Sequence, residues 1–251
     1  MTLRSLLAAG LLAGTGCWAQ DPVADQFNAW LMYFGNHRLS ERWGLHTEYQ
    51  WRRNDGFENW QQSLLRIGVD LHTKAGPVLT AGYGWIVSYP YGEQPIAYPF
   101  NEHRIWEQLI LPHSVGRFQL QHRYRLEQRF PEQKAADADG EFSPDGYLFK
   151  QRFRYRFLFT LPVSRRDMQD GTLFLSMYDE VFLQFGANAG VNILDQNRFY
   201  AALGWRFDAN VNVQLGYLNQ YIVKADGVRV ERNHTLQVGF TCNLDLRRPA
   251  K

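Results

Sequence analysis

Cysteine is almost absent: Cys17 and Cys242 are the two in 251 residues. With one of them inside the first nineteen residues, the rest of the chain can form no internal disulfide. Long apolar runs are absent too. Beyond the N-terminal segment no stretch approaches the roughly eighteen consecutive apolar residues of a membrane-spanning helix. Neither sign of charge dominates, with 27 Lys and Arg against 25 Asp and Glu, which removes the basic footprint expected of a nucleic-acid binder. Helix-period patterns are scarce. Catalytic motifs are missing as well. There is no G-x-S-x-G nucleophile turn. His37, His46, His72, His103, His113 and His234 are scattered without H-E-x-x-H or Cys/His spacing, so no catalytic residue, metal or cofactor is expected.

What is present begins with an export signal. Arg4 is a short positive region, Leu6 to Leu12 an apolar stretch too short to span a bilayer, and Cys17 and Ala19 stand at −3 and −1 of a cut before Gln20. That is the layout of a secretory signal peptide over 1–19. A lipoprotein cut before Cys17 would want Leu three residues earlier, where Gly14 stands. Loss of the signal leaves 26 basic and 25 acidic side chains, a net of +1. Residues 20–251 then form one domain that must be held by its own fold or by a membrane.

Period-two patterns run throughout. In 43–51, Trp43, Leu45, Thr47, Tyr49 and Trp51 alternate with Gly44, His46, Glu48 and Gln50. In 63–71, Leu65, Ile67, Val69 and Leu71 oppose Arg66, Gly68 and Asp70. Segments 79–89, 118–130, 149–159 and 234–246 alternate likewise, and strands are expected at 27–36, 101–112, 172–185, 198–208 and 211–222. These are about eleven segments, many of about ten residues. Soluble strands average about five to six residues; tilted membrane strands need about nine to eleven. Short connections (74–77, 113–117, near 208–209) alternate with longer ones (92–100, 131–146, 186–197, 223–232). The 131–146 stretch reads as a polar, mobile loop.

The expected fold is therefore all-β: a transmembrane, antiparallel, up-and-down β-barrel of about 10–12 strands, with short turns in the periplasm and long loops outside. The apolar faces are rich in Trp and Tyr, which favour membrane–water boundaries. The polar faces carry Arg and Gly. An Arg facing lipid near the midplane would cost about 2–4 kcal/mol, so the arginines must face a lumen. A soluble periplasmic β-protein is the bland alternative. Even strand numbers are the rule for single-chain bacterial barrels. Eleven segments thus imply either a missed strand or a first segment outside the wall.

The segments FNEHRIWEQL (100–109), HRYRLEQRF (122–130), RFRYRF (152–157), YDEVFLQF (178–185), DQNRFYAALGWRF (195–207) and NHTLQVGF (233–240) together resemble a family of bacterial outer-membrane barrels catalogued as domain of unknown function 2490. The resemblance implies an outer-membrane β-barrel and no established activity, cofactor or site.

The strongest chemical signal is a charge cluster: Arg123, Arg125, Glu127, Arg129, Lys150, Arg152, Arg154 and Arg156 on two successive strands. One reading is a lumen packed with charge, its arginines paired with Glu48, Asp70, Glu180 and Asp245; narrow barrels fill their interiors. The other is a cationic pore wall that draws small anionic solutes. Glu102, Glu107, Asp179 and Glu180 also read as partners of lumen arginines. A lipid-modifying enzyme embedded in the barrel would need a pair such as Ser63 and His122, which share the apolar parity of their strands. The expected setting is the outer membrane of a Gram-negative-type bacterium. The expected partners are outer-membrane lipid and the barrel-assembly machinery. The role would be structural, receptor-like or small-solute passage.

Overall fold

Alternation at period two gives a strand one apolar and one polar face, and each alternating segment is a strand in the computed structural model, which describes residues 23–247. The signal peptide expected over 1–19 lies outside those residues. The strands are β1 (Val23–Arg38), β2 (Trp43–Asn54), β3 (Asn59–His72), β4 (Val78–Ser88), β5 (Phe100–Val115), β6 (Phe118–Ala136), β7 (Phe142–Tyr147), β8 (Lys150–Pro162), β9 (Thr172–Phe185), β10 (Leu194–Arg206), β11 (Val211–Val223) and β12 (Val230–Cys242). Eleven of them close into a barrel; β7 pairs with β6 alone.

Successive wall strands are antiparallel, with β8 following β6 around the wall. The closure differs. β1 runs parallel to β12, from Val23 opposite Val230 to Phe34 opposite Thr241. The expectation of a wholly antiparallel, even-stranded barrel therefore fails at one seam. Among the described residues the wall holds no strand beyond the eleven expected segments, and the first of them is part of it. The seam works because a parallel ladder satisfies both edges as an antiparallel one would. Leu244 O and Leu246 N continue it, each bonded to the backbone of Arg38 at 2.8 Å. The odd count puts Val23 at one rim and the end of β12 at the other.

Connections sort by rim. The first rim carries 39–42, 73–77, 116–117, 163–171 and 207–210. The second carries 55–58, 89–99, the β6–β8 excursion, 186–193 and 224–229. The tightest turn is Gly116–Arg117, where Gly116 at φ 57° supplies the left-handed backbone a two-residue hairpin needs. Within 131–146 the structure has a hairpin in place of the expected mobile loop. β6 runs on to Ala136, and β7 returns along it. Its β7 arm is exposed at every residue. With no dry face there is no alternation to read.

Inside and outside are inverted relative to a water-soluble barrel. The outer face shows Leu65, Ile67 and Val69 about half exposed (51%, 51% and 52%). Exposed Trp43, Phe118 and Trp205 lie toward the short-turn rim, and Trp60, Trp85 and Tyr221 toward the other. The interior holds buried Arg, Glu, Gln and Asn beside one apolar cluster of Trp30, Met32, Tyr200, Ala202 and Leu218. Glycines on the inner face of β3 and β4 make room for Trp106. A Cβ on Gly82 would stand 2.6 Å from its ring, and one on Gly68 3.0 Å. No helix among the described residues is long and apolar enough to cross a membrane.

Candidate functional site: the arginine-lined lumen

Residues of one parity on β6 and β8 point inward, and the register sets Arg123 opposite Arg156, Arg125 opposite Arg154, Glu127 opposite Arg152 and Arg129 opposite Lys150. Like charges directly opposite destabilise a sheet, so carboxylates must offset them. Glu127, fully buried, is the hub. Its oxygens lie 2.6 Å from Arg152, 2.7 Å from Arg154, 3.4 Å from Arg66 and 3.9 Å from Arg104. Glu180 takes Arg123 at 2.5 Å and Arg154 at 2.8 Å. Glu102 takes Arg104 at 2.5 Å and Arg129 at 2.6 Å. Glu48 takes Arg66 at 2.6 Å, and Asp195 takes Arg152 at 2.7 Å. Most of these bonds join neighbouring strands, but three skip strands: Arg66 on β3 reaches Glu127 on β6, Arg123 on β6 reaches Glu180 on β9, and Arg152 on β8 reaches Asp195 on β10.

Among the described residues, four inward guanidiniums have no carboxylate within 4 Å: Arg52, Arg125, Arg156 and Arg198. Arg125 donates from Nε and Nη2 to Gln108 Oε1 (3.1 and 2.7 Å) and lies 4.7 Å from the Trp106 ring centre. Arg156 donates to Gln121 at 3.0 Å. Arg52 donates to Gln62 at 2.7 Å and to Gln50, and rests 4.0 Å over Trp30. Arg198 donates to Gln196 at 3.2 Å and sits between Trp30 and Phe182, 5.4 and 4.7 Å from their ring centres. Lys150 is half-buried and makes no ion pair. Arg52, Arg66, Arg104 and Arg198 were not singled out from sequence, although the inward parity of their strands was the available signal. Arg52 lay one residue past the expected end of its strand.

Two of the cavities bordered by the described residues are lined by these arginines. One of about 210 Å³ lies toward the long-loop rim, and one of about 250 Å³ toward the short-turn rim. Met32, Phe34, Glu48, Arg123, Arg125, Arg156 and Tyr178 line both, so the two adjoin at that level. Segment 89–99 folds over the first. The Tyr91 hydroxyl donates to Glu231, which also holds Lys224. Burial first, and then the Glu231 carboxylate, push the Tyr91 phenol above its ordinary range, so it stays a donor.

Several expected partners lie elsewhere. Glu107 faces outward and accepts from Gln128 at 3.2 Å; Asp179, also outward, accepts from Asn197 at 3.0 Å. Both belong to the outward parity of strands whose other face is lined with charge. Asp70 accepts from Thr80 at 2.6 Å instead of an arginine, and Asp245 binds Arg247 beyond the end of β12. Ser63 bonds the Tyr49 hydroxyl at 3.3 Å, and His122 bonds the Tyr155 hydroxyl at 2.8 Å. They sit on β3 and β6, with β4 and β5 between, so the structure does not bring them together. No cluster of His, Cys, Asp or Glu among the described residues could hold a metal ion.

A family model described as Protein of unknown function (DUF2490) matches residues 27–231, and the chain belongs to that family. No curated protein and no solved structure matches it.

Proposed function

We propose that this member of the DUF2490 family is an outer-membrane β-barrel with a closed, charge-packed lumen, serving a structural or receptor role at the cell surface. One observation carries the reading: the barrel is apolar outside and ionic inside. In water, an apolar belt that continuous would be an association surface, and buried arginines would gain nothing by facing inward. In a bilayer the same arrangement is required, because lipid excludes charge and a closed ladder satisfies every backbone group. Exposed Trp and Tyr toward both rims fit the two membrane–water boundaries. The long-loop rim would face outward from the cell, and the signal segment would deliver the chain for insertion by the barrel-assembly machinery.

Closure of the lumen follows from its pairing. Glu127 and Glu180 draw together arginines of four strands, β3, β5, β6 and β8, and Asp195 on β10 holds Arg152 as well. A transport lumen needs a continuous wet path, and ion-paired side chains crowd the level where the two cavities adjoin. The test is direct. The mature protein should fractionate with outer membrane and migrate differently in gels before and after boiling. Reconstituted in planar bilayers it should show no steady conductance. Release by osmotic shock would overturn the membrane reading, and steady anion current would replace the closed lumen with a pore.

A further inference from the structure

Most of the lumen's positive charge is answered by carboxylates, but Arg52 and Arg198 are not. Both line the 210 Å³ cavity and neither lines the other one. Both are more than nine-tenths buried, at 6% and 9% exposure. Each Nε is buried without a hydrogen-bond partner. Both lie near the same indole, Trp30, at 4.0 and 5.4 Å from its ring centre. Arg154 lies 4.3 Å over the other plate, Phe182, so a third guanidinium borders the space. Stacking on aromatic rings and bonding to neutral amides orients these groups without neutralising them. Buried charge needs a counter-charge, and the orphan donors need an acceptor.

We infer that this cavity is a binding site for a small oxyanion of the phosphate type, held between Arg52 and Arg198. The donors left over are guanidinium N–H groups, which want an acceptor, and the ten arginines that line the cavity outnumber its four carboxylates, Glu48, Glu102, Glu180 and Glu231, which favours a negative one. Both guanidiniums line the cavity, and an oxyanion there can take Nη–H groups from both, which suits the planar fork of arginine. The volume is below the roughly 300–1,000 Å³ of pockets for drug-sized molecules, which limits the ligand to an inorganic oxyanion or a phosphate ester of a few carbons. Arg125 is not part of the site, because Gln108 already occupies its Nε and Nη2. Segment 89–99 covers the mouth. Gly92 there has φ 66° and lies so close to the Gln26 side chain that a Cβ would collide with it. A free anion in the cavity is favoured over the phosphate of a lipid headgroup, whose acyl chains would have to pass that cover.

The inference rests on the closed-lumen reading, and the two fail differently. Steady conductance sinks the closed lumen; a non-conducting barrel that does not bind phosphate sinks only the site. The experiment is isothermal titration of the detergent-solubilised mature barrel with inorganic phosphate, against chloride at matched ionic strength to remove general screening. Saturable one-site binding is expected with phosphate and none with chloride. Arg52→Gln and Arg198→Gln should each weaken it at least tenfold. Neither change strands a carboxylate, so both variants should keep the heat-dependent gel shift. Should either lose it, Arg52→Lys and Arg198→Lys retain the charge without the fork and should still bind several-fold more weakly. No saturable binding by the wild type, or full affinity in the variants, overturns the site. Binding to phosphatidylglycerol micelles without binding to free phosphate overturns the assignment of a free anion.

Discussion

The two sides of the lumen are built differently. On one side, β5, β6, β8 and β9 present Glu102, Arg104, Arg123, Arg125, Glu127, Arg129, Arg152, Arg154, Arg156 and Glu180. On the other, β11, β12 and β1 present Gln220, Asn233, Thr235, Gln237, Gln26 and Asn28, and their one buried charged group is Glu231 at the mouth. The hydrogen bonds of the neutral side run along the wall. Asn54 donates to Asn28 at 3.2 Å and Asn28 to Asn233 at 2.8 Å, each bond joining adjacent strands. The charged side reaches across non-adjacent strands. Amides reinforce the wall where it is, whereas ion pairs also draw distant strands onto one axis. The charged side should therefore be the one that a single substitution can wreck.

The largest loss is expected at the hub. Glu127→Gln leaves four buried guanidiniums without their shared anion and should cost about 3–5 kcal/mol in urea unfolding of the barrel in lipid vesicles. Next comes Arg154→Ala. Its two carboxylates each keep another arginine, so about 1.5–3 kcal/mol is expected, the range for a hydrogen bond to a charged group. Arg125→Ala should cost less, about 1 kcal/mol. It loses amide bonds and an indole contact but strands no carboxylate and removes an uncompensated buried charge. If Arg125→Ala proves as damaging as Arg154→Ala, pairing is not what distinguishes these arginines. The smallest effect belongs to the neutral side. The Thr235 hydroxyl is fully buried and unpartnered, so Thr235→Val, nearly the same shape, should shift stability by no more than about 0.5 kcal/mol.

The wall was legible in the sequence because every wall strand has one apolar face: all eleven alternating segments are strands, within a few residues at each end. What alternation could not show was anything without two unlike faces. β7 was unreadable for that reason. So was the seam, since the pairing of β1 with β12 depends on strand direction, which no side-chain pattern records. The inward parity of Arg123, Arg125, Arg152 and Arg154 could be read directly. Their partners could be read only in part: Glu180 does hold Arg123 and Arg154, but Glu127 also meets Arg66 across strands 61 residues apart. Polar parity also hides exceptions. Trp30, Trp106 and Phe182 point inward with the arginines and supply the surfaces on which they stack. An aromatic residue in a polar row was the sign that the lumen is packed.

The parallel seam restricts how this chain could be rewired. In an even-stranded barrel the first and last strands end at the same rim, and a few residues can join them while a new opening is cut elsewhere. Here Val23 and Cys242 lie at opposite rims. A link would have to descend the whole height of the wall, about 40 Å along a strand of twelve residues at about 3.3 Å each. It could not pass through a lumen crossed by ion pairs and would have to lie along the apolar outer face. Circular permutation through a short linker, routine for barrels with matched ends, is closed to this one. Any split of the chain into two complementing fragments must leave β1 and β12 on separate pieces that meet side by side, pointing the same way.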